Sequence, residues 1–210
     1  MTINKGLAAL IALGGIAAAG QAAASDAMCG ANTGQAASGE PIIVGGIHGN
    51  AAPGDFSAAT DAAAAYFACV NANGGIHGRP IDYRVENDQW NPELAAQAAA
   101  KLVNNTRSVA LVGNGSFIEM AVNAGAYKDA DIMVMASGCA ISECFESSNI
   151  VSTNQGPLPS NLGAVMYARE ELGATNIACI GLKIPNNGIW SCQASIDYMR
   201  AHGGDGSMAC

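Results

Sequence analysis

Short apolar runs alternate with helix-forming segments from residue 41 onward, and this alternation constrains the fold more than any other feature of the chain. The first run, residues 42–47, is continuously apolar, which is typical of a strand covered on both faces. Ile81, Tyr83 and Val85 instead alternate with polar residues, which predicts an edge strand with one wetter face. Further strands are predicted at residues 109–113, 132–135, 150–153 and 177–181. Strands and helices at this spacing predict an α/β fold with a parallel sheet and right-handed crossovers.

Helix signals and turn residues divide the chain further. Ser116 and Glu119 have the spacing of a capping box, which predicts the start of a helix. Residues 138–148 are polar and are predicted to form a loop, and two prolines within residues 154–159 mark a boundary. Beyond that boundary the pattern predicts two helices around one strand.

The N-terminus has the layout of a secretory signal. Lys5 precedes an apolar stretch over residues 7–19, and small residues follow up to Ala24, where we predict cleavage. This stretch of thirteen residues is shorter than the ~20 that a membrane-spanning helix needs. We therefore predict a signal peptide over residues 1–24 and a soluble, periplasmic mature protein. Residues 25–40 are mostly small and polar, and they are predicted to be a flexible leader.

The charge balance excludes one broad class of partner. The chain has 9 Lys and Arg residues against 17 Asp and Glu residues, and its basic residues form no cluster. An acidic chain without a basic patch is a poor ligand for the phosphate backbone of nucleic acids. We therefore expect no nucleic-acid partner and no anionic membrane surface as a partner.

The cysteine count indicates disulfides and not a metal site. Seven cysteines in an exported protein predict at least one disulfide, although spacing alone does not define the connectivity. Cys139 and Cys144 form the one local pair and are a candidate disulfide that would staple a loop. His48, His77 and His202 are scattered along the chain, so neither a metal nor another cofactor is expected.

The turns after the strands do not have the motifs of common enzyme classes. Residues 113–116, Gly-Asn-Gly-Ser, lack the third glycine of a dinucleotide-binding turn, and no Gly-x-Ser-x-Gly elbow occurs. What remains is a set of helix N-termini at Ser116 and around residues 138–140, where backbone N–H groups can hold a small carboxylate. For Ser116 two interpretations stay open: the hydroxyl caps the helix only, or it caps the helix and contacts a ligand.

Several segments resemble a known family. Residues 70–81 contain Asn-Ala-Asn-Gly-Gly-Ile-His-Gly, residues 86–89 read Glu-Asn-Asp-Gln, and residues 109–113 follow at a matching distance. In order and spacing, residues 40–199 look like the ABC-importer binding proteins for leucine, isoleucine and valine. The resemblance implies a type I periplasmic binding protein fold, with two doubly wound α/β lobes that close over a ligand in the cleft between them.

The resemblance also implies where ligand contacts lie. A serine near the start of the third helix maps onto Ser116, with Phe117 as the alternative register. Small residues after the fourth strand map onto Gly138, Cys139 and Ala140. Near the tip of the first strand of the second lobe, the matching position falls at Asn187.

This chain departs from the family pattern at three of these places. It has Ala140 where the family has a hydroxyl, and Pro53 where the family has an aromatic residue in the first loop. It has Asn187 near the position where the family has an aromatic residue over the ligand. We therefore expect the fold to be kept and the ligand to differ from that of the family's best-known members.

The function implied is capture of a small polar solute, such as a branched-chain amino acid or amide, and its delivery to a membrane permease by a monomeric protein that is not an enzyme. The alternatives are the ligand-binding domain of a sensory receptor and an exported α/β enzyme. Residues 41–155 are expected to form the first lobe and residues 156–210 the beginning of a second, incomplete lobe. On this interpretation the chain alone would bind its solute weakly.

Overall fold

The computed structural model describes residues 29–52, 54–184 and 186–209. The predicted signal peptide, Pro53 and Cys210 lie outside these ranges. Within them, no helix is both long enough and apolar enough to cross a membrane. The strands are β1 Ile42–His48, β2 Asn50–Ala51, β3 Gly54–Asp55, β4 Ile81–Asn87, β5 Ala110–Asn114, β6 Met133–Ala136, β7 Ile150–Ser152, β8 Asn176–Ile180 and β9 Asp205–Ala209. The α-helices are α1 Ala58–Ala72, α2 Pro92–Ala100, α3 Phe117–Asp129, α4 Glu143–Glu146, α5 Pro157–Glu170 and α6 Gly188–Ala201, and a π-helical turn at Lys101–Asn105 extends α2.

A five-stranded parallel sheet organises the first part of the chain. Its strand order is β4-β1-β5-β6-β7, and each neighbouring pair is parallel. The α/β prediction is therefore confirmed, and β4 lies at the edge of the sheet as its alternating pattern predicted. β1 is the first strand along the chain and lies between β4 and β5 in the sheet. Its residues from Val44 to Ile47 are buried.

Helices cover both faces of this sheet because the buried side chains of the strands point alternately to either side. Towards α1 the buried side chains are Cys29, Val44, Val70 and Ile81. Towards α2 and α3 lies the larger core, which includes Ile47, Leu102, Leu111, Met120, Tyr127, Val134 and Ile141. This doubly wound arrangement gathers the loops that follow the strands at one end of the sheet, where ligands bind in folds of this kind.

The second part of the chain is a smaller unit. β8 and β9 pair in parallel across the crossover helix α6, and α5 packs on α6. Cys192, Ile196 and Met199 of α6 are buried, and Cys192 forms a disulfide with Cys179 of β8. The last residues, which the sequence predicted to be only the start of a strand, form the five-residue strand β9.

The segment before β1 is attached to the sheet unit and is not a free leader. Cys29 is buried and forms a disulfide with Cys69 of α1. The backbone N–H of Thr33 donates to the Asn73 carbonyl at 3.3 Å, and that of Ala37 donates to the Asn71 carbonyl at 2.8 Å. The expectation of a flexible leader over residues 25–40 rested on composition, and these attachments correct it for residues 29–40, because composition does not show a disulfide to a residue 40 positions away.

Candidate functional site

Three aromatic side chains cluster at the end of the main sheet where its strands finish. Phe56 follows β3, Trp90 follows β4, and Phe117 opens α3 after β5. The ring centroids of Phe56 and Trp90 are 5.2 Å apart, those of Phe56 and Phe117 are 5.5 Å apart, and those of Trp90 and Phe117 are 5.8 Å apart. The first two pairs are edge-to-face contacts, which aromatic rings favour over flat stacking. We call Phe56, Trp90 and Phe117 the aromatic cluster.

The backbone at Trp90 is held in an unfavourable conformation. Its φ of +59° lies in the left-handed region, and the preceding Gln89 has a φ of +53°. Residues other than glycine adopt this region at an energetic cost, and such positions cluster at functional sites. Two hydrogen bonds hold the residue: the backbone N–H of Trp90 donates to Asp88 Oδ1 at 2.9 Å, and the indole Nε1–H donates to the Gly54 carbonyl at 2.9 Å.

Gly49 makes room for the Trp90 indole. A Cβ atom at residue 49 would lie 2.6 Å from the indole ring, which is closer than non-bonded carbon atoms approach. A side chain there would displace the ring or the loop that carries it. The sequence of β1 and its following turn therefore permits this position of Trp90.

The aromatic cluster forms one wall of a cavity of about 420 Å³. The opposite wall comes from Leu182, Lys183 and Ile184, which follow β8 in the second unit. The remaining lining residues are Gly54 and Ile118. The cavity is of the size that small organic ligands occupy in proteins, and Lys183 is the one charged residue among those that line it.

Ser116 lies behind this wall as a helix cap. It is 1% exposed, and its Oγ accepts a hydrogen bond from Glu119 N–H at 3.2 Å. The Glu119 side chain does not complete the predicted capping box, because its carboxyl group bonds to Asn114 and Tyr127 instead. Phe117, the alternative register, lines the cavity, whereas Ser116 is not among the lining residues. Contact of Ser116 with a ligand stays a prediction.

Asp88 is a second buried polar group behind the cluster. Its side chain is fully buried, and burial raises the pKa of its carboxyl group, while the hydrogen bond from the Trp90 backbone N–H lowers it. His48, at the end of β1, acts on the Asp88 pKa in the same direction as this hydrogen bond. Asp88 belongs to the Glu-Asn-Asp-Gln stretch of residues 86–89, and its position directly after β4 is the sequence signal for its place here.

The loop that follows β6 is held by hydrogen bonds and a disulfide. The backbone N–H of Cys139, which was predicted to be free for a ligand, donates to Asn154 Oδ1 at 3.0 Å, and Asn154 Nδ2 donates back to the Cys139 carbonyl at 3.2 Å. Cys139 and Cys144 are both buried and are joined by a disulfide. The predicted loop also contains the short helix α4.

Asn187 connects this loop to the second unit. Its Nδ2 donates to the Ala140 carbonyl, and the backbone N–H of Ser142 donates to the Asn186 carbonyl at 3.1 Å. Phe145 and Trp190 stack across the same junction with centroids 5.7 Å apart. The structure thus brings Cys139, Ala140 and Asn187 together away from the aromatic cluster, and none of them lines the cavity of about 420 Å³.

Gly138 begins this loop and lies in open surroundings. A Cβ atom at Gly138 would have no atom within 4 Å apart from those of its chain neighbours. Asn187 instead lines a neighbouring cavity of about 450 Å³ with Asn186 and Trp190. Phe56 and Trp90 were not predicted as site residues; the available signal was that Trp90 follows β4 and that Phe56 lies in the connection after β1, both at the carboxyl end of the sheet.

Comparison with known proteins identifies the family. The family model described as "Periplasmic binding protein" matches residues 41–209. A search of curated protein sequences gives no significant match. Among solved structures, a leucine-binding protein from Thermotoga maritima is similar at a TM-score of 0.67 and 10% identity, over 80% of this chain and 48% of that one.

Two further solved structures are complexes with small molecules. A solute-binding protein of an ABC transporter from R. palustris, in complex with 4-hydroxybenzoate, has a TM-score of 0.67 and 20% identity over 81% of this chain and 46% of its own. A branched-chain amino acid transporter substrate-binding protein from Streptococcus pneumoniae, in complex with isoleucine, has a TM-score of 0.63 and 15% identity over 81% and 48%. This chain thus spans about half the length of these proteins. From the match over residues 41–209 and the shared α/β fold, the chain belongs to the periplasmic binding protein family.

Proposed function

We propose that this chain is the solute-binding component of an ABC importer, which captures a small solute in the cavity beside the aromatic cluster and delivers it to a membrane permease. The observation that carries the proposal is the cavity itself, which lies at the carboxyl end of a parallel sheet and is walled on its other side by the second unit. Family membership supports the same role. The protein binds and releases its solute without chemical change.

The lining of the cavity favours a carboxylic acid with an apolar body. Phe56, Trp90 and Phe117 offer ring surfaces on one side, and Leu182 and Ile184 offer aliphatic surface on the other. Burying such surface against an apolar ligand contributes about 25 cal/mol for each Å² removed from water. Lys183 supplies a positive charge for the carboxylate. Aromatic acids have this chemistry, and branched-chain amino acids share the carboxylate and the apolar body but also carry an ammonium group. Solved relatives are complexes with isoleucine and with 4-hydroxybenzoate.

Three disulfides support export as the setting of this function. Cys29–Cys69, Cys139–Cys144 and Cys179–Cys192 are each joined in the structure. Disulfides persist in oxidising compartments such as the bacterial periplasm. A monomeric periplasmic protein released by cleavage near Ala24 fits this setting. N-terminal sequencing of exported protein that begins near Ser25 would support it, and an intact Met1 end in the membrane fraction would contradict it.

The second wall of the cavity consists of Leu182, Lys183 and Ile184. Because these few residues cover little of a bound solute, we expect weak binding by residues 25–210, with a dissociation constant of about 1 mM. Saturation-transfer NMR detects binding in this range and needs no labelled ligand. The probes are isoleucine and 4-hydroxybenzoate, with glycine as a solute that lacks an apolar body. We expect saturation transfer to at least one of the two apolar acids and none to glycine.

Trp90→Ala supplies the site-specific variant, and Trp190→Ala is its matched control because Trp190 does not line the cavity. Loss of the indole surface should abolish saturation transfer, while the control should retain it. Equal transfer in both variants would place the solute elsewhere. The absence of transfer to either acid in the unaltered chain would contradict the proposed solute class.

A further inference from the structure

A group of buried polar side chains lies beneath the aromatic cluster, where β5 joins α3. Glu119, in the first turn of α3, is fully buried. Its Oε1 accepts hydrogen bonds from Asn114 Nδ2 at 3.1 Å and from the Tyr127 hydroxyl. Nearby, Asn123 Nδ2 donates to the Ala95 carbonyl of α2 at 3.1 Å. This group therefore connects the last residue of β5 with two turns of α3 and, through Asn123, with α2.

Two oxygens of this group have no donor among the described residues: Asn114 Oδ1 and Glu119 Oε2. They belong to the same two side chains that the Asn114 Nδ2 to Glu119 Oε1 hydrogen bond already joins. A buried acceptor without a donor is costly, and an ionised carboxylate has no hydrogen to donate. A carboxylic acid, in contrast, carries one O–H donor.

We propose that Glu119 is protonated at Oε2 and forms a cyclic pair of hydrogen bonds with the Asn114 amide. In this pair Asn114 Nδ2 donates to Glu119 Oε1, and the Glu119 O–H donates to Asn114 Oδ1, so that both unpaired oxygens gain partners. Glu119 is then a positioning residue for the first turn of α3, which carries Ser116 and Phe117. This role concerns the scaffold behind the cavity and does not depend on which solute the cavity holds.

The pair also fixes the loop ends around it. The backbone carbonyl of Asn114 accepts hydrogen bonds from Ser137 N–H at 2.8 Å and from the Ser137 hydroxyl at 3.1 Å. Asn114 is thereby held from both its backbone and its side chain. An ionised Glu119 would remove the donor to Asn114 Oδ1 and add a charge inside the core. Phe117, two residues before Glu119, would lose its fixed position against Trp90.

The titratable groups that face Glu119 favour its neutral form. Burial raises the pKa of Glu119 to about 8, and the negative charge of Asp88 adds to this, while hydrogen bonds from Tyr127 and Asn114 lower it. Burial and the neighbouring Glu119 raise the pKa of Tyr127 well above its usual value, so the phenol stays protonated. His48, at the end of β1, acts on the Asp88 pKa. On the side of α2, the core residues are Ala98 and Ala99, and Leu102 follows them. None of these side chains carries a charge.

The sign of the pH dependence follows from these values. The pKa of Glu119 is about 8 in the folded chain against 4.5 for an ordinary glutamate, so the fold favours the protonated form. The resulting stabilisation is fully present below pH 4.5 and is lost as the pH rises through about 8. Within this window the equilibrium constant for unfolding should rise by up to about tenfold for each pH unit from this group.

Glu119→Gln tests the proposal because its amide has the shape of the neutral acid and donates from Nε2. Glu93→Gln is the matched control, since Glu93 is an exposed glutamate in the first turn of α2. Denaturant unfolding is measured for the three proteins between about pH 5 and pH 9. We expect the unaltered chain and the control to lose stability along this window, and Glu119→Gln to lack that loss. The same slope in all three proteins would overturn the proposal.

Carbon-13 NMR of the glutamate carboxyl groups in the unaltered chain decides the matter even if Glu119→Gln does not fold. A Glu119 midpoint near 8 supports the neutral acid, and a midpoint near 4.5 overturns it. The Trp90 indole N–H resonance reports the positioning role, because Trp90 packs on Phe117. We expect this resonance to shift with the Glu119 midpoint. A constant Trp90 resonance through that titration would overturn the positioning role.

Discussion

The two units of the chain bury their apolar side chains to very different extents. In the sheet unit, Leu111 and Val134 are fully buried between the sheet and its helices. In the second unit, Ile180 of β8 is 86% exposed and Leu172 is 69% exposed, and α5 has no buried residue. A βαβ segment with one covering helix therefore forms its local structure without enclosing a core of comparable size.

The two walls of the cavity differ in the same way, because each unit supplies one of them and the two units bury their side chains to different extents. The aromatic cluster is fixed from behind by the hydrogen bonds of Trp90 and by its contacts with Phe56 and Phe117. The other wall is a short stretch after β8, with Leu182 and Lys183 exposed. The first wall is therefore preorganised, whereas the second has little packing behind it.

The largest expected effect is in the core of the sheet unit. Leu111→Ala should lower the free energy of unfolding by ~2–5 kcal/mol, because it leaves a cavity where surrounding side chains cannot collapse. Val109→Ala is the control, since Val109 immediately precedes β5 and is 63% exposed. Denaturant unfolding of both variants provides the measurement. Similar losses in the two variants would show that this core is not packed as described.

The disulfide of the second unit should have the next largest effect. Replacing Cys179 and Cys192 together by serine should destabilise this unit by ~3 kcal/mol, because the bond closes a loop in a unit with little core. The same change at Cys139 and Cys144 should cost less, because the disulfide that it removes closes a loop of only 5 residues. Thermal unfolding of both double variants tests the order of the two losses, and the reverse order would contradict it.

Peptide mapping without reductant checks the pairing on which this comparison rests. Each pair should appear as one linked peptide with no alkylated thiol. Alkylation at both Cys139 and Cys144 in folded, exported protein would contradict the predicted disulfide within this loop.

A smaller effect is expected at Ser116, which separates a cap from a ligand contact. Ser116→Ala should cost ~1 kcal/mol of stability through loss of the cap alone. A direct hydrogen bond to a ligand carboxylate would cost ~1.5–3 kcal/mol of binding in addition. Because Ser116 is 1% exposed and does not line the cavity, we expect the affinity for isoleucine or 4-hydroxybenzoate to be unchanged. A tenfold or greater loss of affinity would assign the ligand contact to Ser116.

The smallest expected change is on the exposed face of the second unit. Ile180→Ser should alter the free energy of unfolding by less than ~0.5 kcal/mol, because the side chain is 86% exposed. It should also reduce self-association, since it removes an apolar side chain from the surface. Light scattering at increasing protein concentration measures this. A loss of several kcal/mol would mean that Ile180 is covered in solution.

Local patterns predicted the elements well because their signals are local. The run at residues 42–47 became β1, Ile42–His48, and Ser116 caps α3 from the position that the sequence assigned. The side chains of the capping box were not predicted correctly, because Glu119 has partners at Asn114 and Tyr127 that only tertiary structure brings near.

The site was harder to predict because its parts are distant in sequence. Phe56 and Trp90 meet through the pairing of β1 with β4, and Leu182 to Ile184 arrive from another unit. The backbone N–H of Cys139 donates to the side chain of Asn154, which lies 15 residues later in the sequence. Sequence spacing does not predict such contacts, so the resemblance to a family gave Phe117 of the lining but not Phe56, Trp90 or residues 182–184.

The two tryptophans of the chain can report binding at the aromatic cluster, because Trp90 lines the cavity of about 420 Å³ and Trp190 does not. A proton–nitrogen NMR spectrum should show one indole resonance for Trp90 and one for Trp190, and each is assigned by substitution. Isoleucine and 4-hydroxybenzoate are titrated separately into residues 25–210. We expect at least one of these acids to shift the Trp90 resonance in a saturable manner and to leave the Trp190 resonance in place. A Trp90 resonance that stays constant with both acids, or a saturable shift of Trp190 alone, would contradict binding at the aromatic cluster.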